Sequence, residues 1–92
     1  PNPTPNLLFP QGLDFHQGVL FVSDTQNSLV RSYNTNSQSW SVIAGVPASG
    51  GFDQNTLQAN LTRLNFPTDV QVYQNTFLYI VDQSNQILRR VD

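Results

Sequence analysis

Phe9-Pro10-Gln11-Gly12-Leu13-Asp14-Phe15 returns 57 residues later as Phe66-Pro67-Thr68-Asp69-Val70-Gln71-Val72. Working outward, Leu20-Phe21-Val22-Ser23-Asp24 answers to Leu78-Tyr79-Ile80-Val81-Asp82. Asn27 through Arg31 then answers to Asn85 through Arg89, now at an offset of 58. The added residue falls near Asn75-Thr76, inside a turn, where an insertion displaces no packed side chain. A chain that repeats itself builds one supersecondary unit per copy, and each unit needs a neighbour to bury its apolar surface. The repeat divides the 92 residues into three parts. Residues 1–8 are a leading segment, extended because its three prolines lack the donor that regular ladders require. Residues 9–65 hold the first unit and a long connection, and residues 66–92 hold the second unit.

Each unit reads as short strands separated by turn chemistry. Leu13-Asp14-Phe15 and Val70-Gln71-Val72 alternate apolar and polar, as a half-buried strand does. His16-Gln17-Gly18 and Tyr73-Gln74-Asn75 supply turns in which Gly18 or Asn75 takes a positive φ. Leu20–Val22 and Leu78–Val81 are continuous apolar runs, the pattern of a strand covered on both faces. Asp24-Thr25-Gln26-Asn27 and Asp82-Gln83-Ser84-Asn85 are polar turns whose leading carboxylates are expected to accept bonds from their own turn's backbone N–H groups. Leu29–Tyr33 and Ile87–Val91 are third strands. Trp40–Ala44 is a fourth, with no counterpart in the second unit. The predicted fold is all-β, with four antiparallel strands followed by three. Between Ala44 and Phe66, the glycines and Pro47 exclude a regular element at first. Leu57–Leu64 is predicted to wind one helical turn that seats Leu57, Leu61 or Leu64 between the units.

Composition limits the partners. Four Arg and no Lys against six Asp and no Glu give a formal net charge of -2. Nucleic acid and anionic membrane surfaces are gripped by clustered cations, so neither is expected as a partner. No apolar run approaches the ~18 residues of a membrane span. The absence of cysteine excludes a disulfide framework, a thiol nucleophile and a thiolate metal site within these residues. The sequence opens on Pro1 and contains no Met, which reads as a processed chain or a piece of a longer one.

Phe-Pro-x-x-apolar, an apolar run ending in Asp, Asn-x-apolar-apolar-Arg and then Ile43-Ala44-Gly45 resemble the NHL repeat of β-propellers. The segment from Gly50-Gly51-Phe52-Asp53 through Ala59 to Pro67 is similar to the glycine-rich connection of the extended variety. The likeness runs from Phe9 to Asp92. It departs at the histidine that contributes to the family's name, which is Ser28 in one copy and Gln86 in the other, a position expected at a surface turn. The resemblance implies a β-propeller fragment of about two four-stranded antiparallel blades, the second incomplete. A blade with two apolar faces needs further blades beside it, from the same chain or from a homo-oligomer such as a three-copy ring. Relatives resembling amidating lyases carry a metal at the ring centre, but those ligands cannot be placed on these residues. RNA-binding members use a basic, aromatic-dotted face, which four Arg against six Asp supply poorly.

Asp24 and Asp82, each three residues before Asn27 or Asn85, could offer oxygens to Ca²⁺. Such a site wants six or more oxygens, so these four residues are read as structural turn caps. His16 has no partner at a catalytic or zinc-binding spacing and is placed at an exposed hairpin turn. Arg31 and Arg89 are expected to tie neighbouring units together. Tyr79 reads as core, whereas Tyr73, at a turn, joins Phe52 and Asp53 as the possible interaction surface. Asn60-Leu61-Thr62 matches the N-glycosylation pattern, which fits an extracellular or cell-surface address. No catalytic residue, metal ligand or cofactor is assigned. The function expected is a non-catalytic structural or protein-interaction scaffold. The alternatives are a lyase- or lactonase-type propeller enzyme with ligands on other blades, and an RNA-binding domain.

Overall fold

The computed structural model describes residues 4–47, 50–51, 62–75 and 77–91. Seven strands follow in order: β1 Gly12–His16, β2 Val19–Asp24, β3 Leu29–Asn34, β4 Ser39–Ala44, β5 Pro67–Tyr73, β6 Phe77–Asp82 and β7 Ile87–Val91. They form a four-stranded antiparallel sheet in the order β1-β2-β3-β4 and a three-stranded one in the order β5-β6-β7. The all-β architecture expected from the sequence is therefore present as two blades, the second lacking an outer strand among the described residues. Among those residues no helix is long and apolar enough to cross a membrane.

The repeat extends to the backbone. Between β1 and β2, Gln17 and Gly18 have φ of 49° and 83°; between β5 and β6, Gln74 and Asn75 have 53° and 59°. Two successive left-handed residues match the twist of the strands they join. His16 pairs with Val19 but Tyr73 with Phe77, so the one-residue gain sits in the hairpin loop. Single 3₁₀ turns at Thr25–Asn27 and Gln83–Asn85 link the second and third strands of each sheet. They end in left-handed Ser28 (φ 56°) and Gln86 (φ 58°). Phe9 and Phe66, which open the two copies, are left-handed as well, at 49° and 53°.

Residues paired across antiparallel strands share a face. In the first sheet, one face carries Gly12, Asp14, Phe21, Ser23, Val30, Ser32 and Ala44, and the opposite face carries Leu13, Phe15, Leu20, Val22, Tyr33 and Trp40. The second sheet turns Val70, Val72, Leu78, Ile80 and Val91 toward the Gly12–Ala44 face. Val30, Ala44, Leu64, Val70, Leu78 and Ile80 form one buried cluster, with Phe21, Ile43, Val72 and Val91 packed against it. Leu64 is 1% exposed, which places one leucine of the connection in the core between the sheets. Leu57 and Leu61 lie outside the described residues.

The second face of each sheet is only partly covered, where the continuous apolar runs implied two covered faces. Leu13 (63% exposed) and Phe15 (58%) stand open on the first sheet, and Leu88 (65%) and Val81 (41%) on the second. Their cover would have to come from units beyond these two.

Candidate functional site

The most elaborate polar structure is built twice. Asp24 and Leu29 pair across β2 and β3, as do Val22 and Arg31. Asp24 and Arg31 are thus diagonal neighbours on one face, within reach of a long side chain. Asp24 Oδ2 accepts from Arg31 Nε at 2.8 Å and from Asn27 Nδ2 at 2.8 Å, while Oδ1 accepts from the Leu8 amide at 2.8 Å. In the second unit, Asp82 Oδ2 accepts from Arg89 Nε at 2.8 Å and Asn85 Nδ2 at 2.9 Å, and Oδ1 from the Asn65 amide at 2.7 Å. Leu8 and Asn65 are themselves repeat equivalents, and their carbonyls accept from Gln26 and Ser84 in the two 3₁₀ turns. Both carboxylates are fully buried. Each is ion-paired and bonded by three donors, the condition under which a buried charge is tolerated.

This geometry revises one expectation and adds to another. Neither Asp bonds the backbone of its own turn. It clamps the segment that precedes its sheet instead, accepting from the Leu8 amide in one unit and the Asn65 amide in the other. Each arginine reaches the Asp of its own sheet through the shared face, an ion pair within the unit that the expectation of a tie between units did not include. Asn27 and Asn85 extend the latch outward, donating to the carbonyls of Asn6 (3.1 Å) and Gly51 (2.8 Å).

The joint between the sheets is held by residues that strand alternation did not single out. Asp14 Oδ2 accepts from the Val72 amide at 2.7 Å, across the interface. The Ser28 hydroxyl accepts from the Phe66 amide at 3.2 Å. Ser28 is 6% exposed, so the position expected at a surface turn is an inter-unit tie. Gly12 lets β5 approach, since a Cβ there would come within 2.6 Å of Asp69 Cα and 2.7 Å of Ser23 Oγ. The available signal was the repeat itself. Asp14 answers to Gln71 and Ser28 to Gln86, so both positions carry a side-chain oxygen in both copies.

On the open side of the second sheet, Asp69, Gln71, Tyr73, Tyr79, Val81 and Leu88 line a hollow of about 370 Å³. Tyr73, 52% exposed, stands edge-on to Tyr79 with ring centroids 6.3 Å apart. Tyr79 belongs to this open face and not to the core, because its register partners are Gln71 and Arg90. The Arg90 guanidinium lies 4.5 Å from the centroid of the Phe77 ring. His16 is also corrected: it is half-buried in β1 with Nε2 enclosed and without a hydrogen-bond partner among the described residues. Phe52, Asp53 and Asn60 lie outside the described residues. Among those described, no three His, Asp or Glu side chains are grouped to hold a metal ion. Compared with known proteins, the chain matches no protein-family model and none of the curated proteins.

Proposed function

We propose that this chain is a non-catalytic scaffold module, part of an NHL-type β-propeller that holds its connecting loops rigid for protein partners in a larger extracellular or surface assembly. The observation that carries the reading is the fate of the repeated carboxylates. Asp24 and Asp82 are buried, and each is engaged by an arginine, an asparagine and a backbone amide, which makes them structural groups. Among the described residues, exposed apolar and aromatic groups stand at both ends: Leu13 and Phe15 at one, Tyr73, Val81 and Leu88 at the other. Exposed apolar patches of this kind mark interaction surfaces.

The test is an activity screen of the native assembly against lactone, ester and amidation-intermediate substrates, with and without chelator. The scaffold reading predicts no turnover in either condition, and chelator-sensitive turnover overturns it. Retention on RNA at low salt that falls steeply as salt rises would instead favour the nucleic-acid alternative. The surface address predicts that enzymatic deglycosylation lowers the mass of the peptide containing Asn60.

A further inference from the structure

We propose that the two open faces are the separated halves of one interface, and that a second copy of this chain stacks on the first head to tail. This rests on the scaffold reading and names the partner. The joint inside the chain joins unlike surfaces: Gly12, Asp14, His16, Phe21, Ser23 and Val30 of the first sheet meet the Val70, Val72, Leu78 and Ile80 face of the second. Moved along by one repeat, the first set becomes Asp69, Gln71, Tyr73, Tyr79, Val81 and Leu88. Those six residues line the open hollow. Moved back by one repeat, the second set becomes Leu13, Phe15, Leu20 and Val22, on the face of the first sheet where Leu13 and Phe15 are exposed, Leu20 is half-buried and Val22 is buried. Each end of the molecule therefore displays the complement of the other.

The polar ties carry over in kind. Gln71 stands where Asp14 accepts from Val72; the equivalent amide on an incoming copy is that of Phe15, which donates to its own Asp14 Oδ1 at 2.9 Å and would be shared with Gln71. Gln86 stands where Ser28 accepts from Phe66, and the equivalent donor is the Phe9 amide. The positions match but the side chains differ, Val81 standing for Ser23 and Tyr73 for His16. Asp69 replaces Gly12, and the residue it would face is Gly12 of the incoming copy, so the joint between copies is wider there than the joint within the chain. A heterologous contact of this type propagates, either closing into a ring or continuing as a filament. Closed rings of stacked sheets hold about four to eight such units.

The test uses sedimentation and directed cross-linking, which the absence of cysteine makes clean. Val30 and Val70 share the core cluster, and their repeat equivalents Leu88 and Leu13 are 65% and 63% exposed. The proposal expects concentration-dependent particles larger than the 10.3 kDa chain. It expects L13C mixed with L88C to give a disulfide-linked pair in much higher yield than either alone. L88D, at an exposed position, should weaken association at least about tenfold while leaving the circular dichroism spectrum unchanged. A chain that sediments as a monomer up to high concentration, or that cross-links L13C to L13C as readily as to L88C, overturns the proposal. Monomers without turnover leave the scaffold reading standing, because another wedge-bearing chain could cover the same face; chelator-sensitive turnover overturns that reading instead.

Discussion

Arg89 keeps only 4% of its side chain exposed beside Asp82, whereas Arg31 keeps 17% beside Asp24. Removing one member of a buried ion pair strands the other charge in a medium that solvates it poorly, at a cost of about 3–5 kcal/mol. D82N should therefore destabilise the chain by that order in urea unfolding, and D24N by less, because water reaches Arg31 more readily. Equal losses for the two would mean that the difference in exposure has no energetic consequence. At Gly12 the obstacle to a methyl group is the Asp69 backbone, 2.6 Å away, which cannot swing aside as a side chain would. G12A is expected to cost about 1–3 kcal/mol, read as a lower urea midpoint. The repeat made Asp24 and Asp82 legible as structural residues, but not their partners. Which amide each carboxylate meets depends on where the preceding segment crosses the turn, and that is fixed by tertiary packing. Asp14 escaped notice for a related reason: alternation does not distinguish a polar residue facing water from one facing a second sheet.

At the scale of elements, hairpin chemistry was the most readable feature, since Gly18 and Asn75 announce left-handed positions. The left-handed conformations of Gln17 and Gln74 were not announced, because glutamine has no preference for them. At Gln17 the turn geometry calls for Asn ahead of Gly18. Q17N should thus raise stability by about 0.5 kcal/mol, measured as an upward shift of the urea midpoint; no shift, or a fall, would mean that Gln17 has contacts beyond its turn. Strand number, order and direction followed from the spacing of turns and apolar runs. Burial was read less well. The runs Leu20–Val22 and Leu78–Val81 imply two covered faces, yet a pair of sheets has only one joint to offer, so Tyr79 and Val81 are left on an open side.

For the whole molecule, the consequence of stacking is that neither sheet owns a complete core. Val30 and Ala44 come from one sheet, Val70, Leu78 and Ile80 from the other, and Leu64 from the connection. Stability in such arrays resides largely in the interfaces between units. A chain ending after β4 should consequently lack cooperative unfolding and dispersed amide resonances, while the 92-residue chain shows both. The joint itself is most directly tested by amide hydrogen exchange on the intact chain. Val72 and Phe66 donate across it to Asp14 and Ser28, so both amides should be protected to nearly the same degree as those of central strands β2 and β6. If these two exchange at open-loop rates while the strands stay protected, the sheets are not stacked in this way and the account of one repeated, interlocking unit fails.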